Sequence, residues 1–307
     1  MIYVLTLLLT ILSSISSILM ACGGTGTVQV FLAAEDTIPE GLQAGTGDEQ
    51  IVDGWTVTYS KFLVTFGNFH ASRSLDEADE LRDDTVQVVD LRNLPPGGLV
   101  VAEFTDVAAE RWDRVGYELL NTPDDAIAAE GTSPEDRDFM AEHGYSLYIA
   151  GEMTKPDGEA CDPDDPAMCE PQTRVTFAWG LQAGTSFDDC AGAEGDAGFA
   201  VPQGGTVQVK PTIHGDHWFF TNITQGAEMT VRRAQWIVDA QTNRDEQTSL
   251  DELRATPAAK LFTQALGYNL SGAQIPIVTA YDFLEAQART IGDFQGEGEC
   301  PTRSALP

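Results

Sequence analysis

Trp55-Thr-Val-Thr-Tyr59 and, two residues later, Phe62-Leu-Val-Thr-Phe66 form the stretch that decides the fold. Large apolar residues alternate with polar ones at a period of two, the pattern of a strand with one face buried. After Tyr59 the alternation resumes on a shifted register, which predicts a β-bulge at Ser60 and Lys61. Working outward, residues 27–32 (TVQVFL), 85–91, 99–104 and 115–119 read as further short strands. Turn chemistry such as Pro95-Pro-Gly-Gly98 separates them. Residues 145–153 and 175–181 read as a pair of strands joined by an acidic loop, and TVQVKPTI at 206–213 as another. Several short strands at this spacing predict a mainly β, α+β chain: an antiparallel β-sandwich-like body over residues 27–225 followed by a C-terminal helical segment over 226–307.

Helical signals are of two kinds. Ser133-Pro-Glu-Asp-Arg-Asp-Phe-Met-Ala-Glu-His-Gly144 carries an N-cap, a proline in the first turn, acids at the positive end and a glycine C-cap. His143 in its last turn reads as a cap residue favoured by the helix dipole, not as a ligand. Farther on, Val231, Ala234, Ile237 and Val238 fall at helical spacing, as do Leu261, Phe262, Ala265 and Leu266, then Phe283, Leu284, Ala288 and Ile291.

Chemistry concentrates at His214-Gly-Asp-His217-Trp-Phe-Phe220, where two of the chain's four histidines lie three apart at a strand end. On a strand His214 and Asp216 share one face and His217 the other, but Gly215 permits a turn that brings both imidazoles together. Neutral imidazole suits copper and zinc, and Asp216 can serve as a ligand or as the acceptor that fixes a histidine tautomer. His70, at the end of the strong strand, is the expected third ligand. The alternative is a turn beside an aromatic core patch, with no metal.

Between two helical stretches, residues 241–252 have the length of an EF-hand loop, with Asn243, Asp245, Ser249 and Glu252 at its third, fifth, ninth and twelfth places. Gln241 replaces the leading aspartate, Glu246 the turn glycine and Thr248 the central aliphatic residue. Too few charged oxygens remain for tight calcium binding, so the expectation is a degenerate loop that keeps the shape. The DPDD run at 162–165 reads as a surface hairpin rather than a calcium site.

HGDHWFF, the loop ending in Ser249-Leu-Asp-Glu-Leu253, and ARTIGDFQGEGEC at 288–300 together resemble a group of bacterial cell-envelope lipoproteins. These share an HGDH-aromatic motif, an acidic EF-hand-type loop and a terminal GEGxC. DGWTVTYSKFLVTFGNF at 53–69 and FAWGL at 177–181, with Cys190 after them, carry the likeness over most of the chain. More distantly the chain is similar to the periplasmic copper-binding proteins associated with methanobactin. The resemblance implies a β-rich, metal-binding envelope protein with Cys190 and Cys300 bridged, and it carries over no catalytic residue.

Composition agrees with a folded exported protein. Of 307 residues 42% are hydrophobic, enough for a sizeable core, and 48 acidic against 17 basic residues give a net charge of -31. Such a surface repels nucleic acid and attracts cations. Residues 1–21 are apolar and uncharged, and Leu19-Met20-Ala21-Cys22 resembles a lipobox. The expectation is a signal peptide over 1–21, lipidation of Cys22, a tether over 22–26, and a membrane anchor in the bacterial envelope, where a protein partner is one alternative to a metal.

Four cysteines remain, an even number suited to an oxidising compartment. Cys161 and Cys169 bracket a short loop that closes easily, which by elimination leaves Cys190 to pair with Cys300. A Cys-rich metal site would need a C-x-x-C pair that the chain lacks. There is no G-x-S-x-G elbow, no H-E-x-x-H and no phosphate-binding glycine loop. The reading is therefore a non-enzymatic protein, with a metal-dependent hydrolase as the alternative.

Overall fold

A computed structural model describes residues 24–224 and 231–305, with only the backbone described for 76–79. The apolar segment at 1–21, Cys22 and the junction at 225/226 lie outside the described residues. The first strand, β1, spans Thr25–Ala34. The deciding stretch becomes β2, Thr56–Arg73, eighteen residues long, and its register shifts between Tyr59 and Lys61 where the bulge is expected. Next come β3 (Asp76–Asp83), β4 (Gln87–Asp90), β5 (Leu99–Ala108), β6 (Arg111–Trp112), β7 (Arg114–Leu119) and β8 (Ile127–Ala128).

Helix α1, Pro134–His143, has Ser133 as N-cap and Gly144 as a left-handed C-cap at φ 60°. After it run β9 (Leu147–Thr154), β10 (Glu159–Asp162), β11 (Asp165–Pro171), β12 (Arg174–Leu181), β13 (Thr185–Phe187), β14 (Phe199–Ala200), β15 (Thr206–Val209) and β16 (Pro211–Ile213). The remaining elements are α2 (Gln235–Asp239), β17 (Gln247–Thr248), α3 (Leu250–Ala255), α4 (Ala258–Leu261), α5 (Ala280–Ala288), β18 (Gly292–Phe294) and β19 (Thr302–Ser304).

Strand makes up 42% of the structure and helix 16%, so the class is mainly β, and two curled sheets form a sandwich-like body. A ten-stranded sheet runs β17-β12-β9-β2-β7-β13-β19, with β3 and β4 also on β2 and β8 on β4. The long strand can hold so many partners because its two halves pair separately: residues 56–64 bond β9, and residues 66–72 bond β7. A five-stranded sheet runs β15-β1-β16-β18, with β5 antiparallel to β1. Within it β1 is parallel to both β15 and β16, an exception to the antiparallel rule that requires a long crossover. The parallel register places the C-terminal ends of β1 and β16 at one edge.

One core cluster joins both sheets and the C-terminal helices, from Val28 to Cys300. Trp179 on β12 donates its indole N–H to the Thr248 carbonyl at 2.8 Å, and its ring stacks on Trp236 of α2 at 6.4 Å. Trp236 then meets Phe262 and Phe283, so the helices cover that end of the sheet through aromatic contacts. Burying each such side chain contributes about 1.5–3 kcal/mol. The helices are short for local reasons. Helix α2 starts where Asp53 Oδ2 accepts from the N–H groups of Ala234 and Gln235, each at 2.9 Å. The spacing around Leu261 is divided between α4 and a 3-10 turn that ends at Gly267, φ 86°.

Both disulfides form as expected, Cys161–Cys169 closing the β10–β11 hairpin and Cys190–Cys300 tying the tail to the body. They fit an oxidising compartment. Among the described residues no helix is long and apolar enough to cross a membrane.

Candidate metal centre

Three neighbouring strands deliver the site. Parallel pairing sets Ala34 beside Ile213, and antiparallel pairing sets Ile213 beside Gly292 and Thr212 beside Asp293. One residue beyond the ladder, Glu35 N–H bonds the Ile213 carbonyl and His214 N–H bonds the Ile291 carbonyl, both at 2.9 Å. Glu35, His214 and Asp293 thereby meet at one sheet edge although they are far apart in sequence.

At Gly215 the chain turns under residues 37 and 38. A Cβ there would stand 2.7 Å from Ile38 Cγ1, so only glycine fits this approach. Gly215 N–H donates to Thr37 Oγ1 at 3.2 Å, and its carbonyl accepts from the Tyr59 hydroxyl. A 3-10 turn over His217–Phe219 follows, with Trp218 and Phe219 buried and Trp218 stacked on Phe62. The turn folds His217 back until its ring centroid lies 5.2 Å from that of His214. The two imidazoles come together as expected, but what Gly215 supplies is the absence of a Cβ rather than a positive φ.

Buried His214 is held at both ring nitrogens: Nδ1 lies 3.2 Å from Glu35 Oε2 and Nε2 lies 3.1 Å from Asp293 Oδ2. Burial opposes the imidazolium, but the hydrogen bonds to Asp293 and Glu35 outweigh it and raise His214 to about 11. Burial alone would raise Glu35, yet its hydrogen bond to His214 prevails and lowers it to about 2. Asp293 moves up because burial outweighs its bond to the same imidazole.

His217 shifts the opposite way. Burial and then repulsion from His214 hold it well below the usual histidine range, so it is neutral. Its Nδ1 lies 2.9 Å from Thr290 Oγ1, whose hydroxyl donates to the Gln287 carbonyl at 2.8 Å. With that hydroxyl proton committed, Thr290 accepts the Nδ1 proton and leaves the Nε2 lone pair of His217 free. Among the described residues, ligand atoms of His214, His217 and Asp293 lie within 4.8 Å of one another, as do those of Glu35, His214 and Glu297. Two imidazoles and a carboxylate form a donor set for zinc, copper or iron with open coordination positions.

The other residues singled out from sequence fall elsewhere. Asp216 is fully buried but bonds Arg232, Oδ2 lying 2.5 Å from Nη2 and 2.6 Å from Nε. Burial and then repulsion from Glu35 raise it to about 6 against the pull of Arg232. It belongs to neither ligand group. His70 is not in them either. It pairs across β2 with Gly116 of β7, its Nδ1 lies 3.1 Å from the Asn68 carbonyl, and its Nε2 lies 3.8 Å from Asp188. His143 Nδ1 bonds the Phe139 carbonyl inside its own helix.

In the EF-hand-like loop the two oxygens of Glu252 accept from the N–H groups of Thr242, Asn243 and Ser249. Ser249 is the N-cap of α3, with Glu252 completing a capping box. Asn243 and Asp245 accept from backbone two residues on. These side chains close the loop on itself.

Glu35, Thr290, Asp293 and Glu297 did not emerge from the sequence, since only strand register joins them to His214. Three of them lie within the stretch ARTIGDFQGEGEC, where cysteine and glycines make the visible motif and no ligand spacing shows. Comparison with protein-family models, with curated proteins and with solved structures finds no match to this chain.

Proposed function

We propose that this chain is a lipid-anchored protein of the bacterial cell envelope that binds a transition-metal ion, copper or zinc, and is not an enzyme. The observation that carries the metal reading is the convergence of His214, His217 and Asp293 within 4.8 Å at the strand ends. Around them Thr290 selects the His217 tautomer, and Glu35 accepts from His214 Nδ1, the outer support that metal-binding histidines use. Three protein ligands leave room for exchange, as a protein that stores or hands on an ion needs. The acidic surface draws cations toward the site. The apolar segment before Cys22 supports the anchor, and the two disulfides support export.

A second reading rests on the completeness of the His214 network. A charged imidazole between Glu35 and Asp293 is itself the counter-ion of two carboxylates, and an interaction protein needs no more. Elemental analysis of the purified chain after incubation with copper, zinc and calcium, beside the His214→Ala, His217→Ala double variant, separates the two. Stoichiometric copper or zinc lost in the variant is the expected result. Metal absent from the parent favours the ion-pair reading, and capture of an envelope partner becomes the next experiment.

A further inference from the structure

His214 offers two ring nitrogens, with a carboxylate beside each, and it belongs to two groups of ligand atoms. At Nε2 stands Asp293, at 3.1 Å, and His217 completes a ligand group with His214 and Asp293, its ligand atom within 4.8 Å of theirs. On the Nδ1 side stands Glu35, at 3.2 Å, and the ligand atoms of Glu35, His214 and Glu297 lie within 4.8 Å of one another. Two ligands on one tetrahedral ion, each bonded at about 2.0–2.1 Å, sit roughly 3.3 Å apart. Both nitrogen–oxygen distances match that edge.

The turn bearing Glu297 is held in place. Gln295 and Gly296 both have positive φ, 58° and 95°, and the turn is closed by Phe294 pairing with Gly298. Gln295 N–H bonds the Lys210 carbonyl at 2.7 Å, and Gly296 N–H bonds Thr212 Oγ1 at 3.1 Å. A non-glycine residue at positive φ costs about 1–3 kcal/mol, a cost that persists where surrounding structure fixes a functional geometry. The Glu297 carboxylate has no hydrogen-bond or ion-pair partner among the described residues, so the turn presents a free ligand beside a buried histidine.

We propose that the centre is built for two divalent ions that share His214 as a bridging imidazolate, one bound by His214 Nε2, His217 and Asp293, the other by His214 Nδ1, Glu35 and Glu297. The proposal rests on the metal reading above and extends it to a second site. Charge favours it: the carboxylates of Glu35, Asp293 and Glu297 with one imidazolate match two divalent cations, whereas a single ion leaves this half-buried cluster net negative. Loading displaces both ring protons of His214 to water, with no change of oxidation state. If Glu35 served only to orient His214, Glu297 would have no part in the site.

The test is metal content of the full-length protein after zinc or copper loading and desalting, beside Glu297→Gln. Glu297 is exposed, so the substitution leaves the core intact. Two equivalents in the parent and one in the variant are expected. With copper(II), the doubly loaded parent should show a paramagnetic resonance signal well below two spins per chain, because the imidazolate couples them, and the variant one full spin. One equivalent in both overturns the second site and leaves the single-ion reading standing. Two equivalents in both also overturns it, assigning the extra ion to the acidic surface. No metal in either removes both readings.

Discussion

His217 Nδ1 lies 2.9 Å from Thr290 Oγ1, and that contact sets which nitrogen of His217 faces the centre. The Thr290→Val variant keeps the shape and removes the acceptor, so the free imidazole can adopt either tautomer. Metal affinity measured by competition with a chelator should fall about 10- to 100-fold, the usual effect of losing such outer support. Unchanged affinity would mean that Thr290 does not set the tautomer of His217.

The metal-free protein should lose stability as pH rises, because His214 is raised from 6.5 to about 11. A raised pKa contributes fully below the unfolded value, here 6.5, and the contribution disappears as pH climbs through about 11. Asp216, raised from 3.8 to about 6, acts in the same direction over that lower range. Glu35 opposes them: lowered from 4.5 to about 2, its contribution is present above 4.5 and lost as pH falls through 2. Thermal unfolding without metal should therefore peak on the acid side of neutrality. His214→Gln should flatten the alkaline decline; a decline of equal slope in the variant would place its cause elsewhere. Bound metal needs His214 deprotonated, so its stabilisation should grow with pH over the same interval.

Asp216 is fully buried, and Arg232 is the cation it bonds. Arg232→Met leaves that carboxylate unpaired and should cost about 3–5 kcal/mol in urea unfolding. Asp216→Asn with Arg232→Met should recover most of the loss, since a neutral amide needs no counter-charge. A double variant no better than the single one would show that Arg232 acts instead through its stacking on Phe220, 4.9 Å away, and its bond to the Asp48 carbonyl.

What was legible in the sequence follows from how local each signal is. The alternation from Trp55 to Phe66 reports which face of one strand is buried, so both β2 and its bulge were readable. His214 and His217 were readable because three residues separate them and Gly215 supplies the turn. Asp293 was not, because it reaches His214 only through the β16–β18 register. Asp216 misled because its partner, Arg232, comes sixteen residues later from beyond the turn. Strand β3, DEADELRD, has almost no apolar residue to show a period and exists by pairing with the far end of β2.

The two disulfides should differ both in stability and in their effect on the metal. Cys161 and Cys169 are 8 apart and close an exposed hairpin, whereas Cys190 and Cys300 are 110 apart. In the chain-entropy model the loops correspond to about 2.5 and about 4.7 kcal/mol. Only the longer one is anchored in the segment that carries the ligands. Cys300 ends the segment that carries Thr290, Asp293 and Glu297, and Ala191 N–H bonds the Glu299 carbonyl beside it at 2.9 Å. Replacing Cys161 and Cys169 by alanine should lower stability alone. Replacing Cys190 and Cys300 should lower stability further and also weaken metal binding, because the segment that carries Glu297 then loses its covalent tie and keeps only hydrogen bonds such as those to Lys210 and Thr212. Equal metal affinity in the two variants would show that the strand register alone holds the ligands in place.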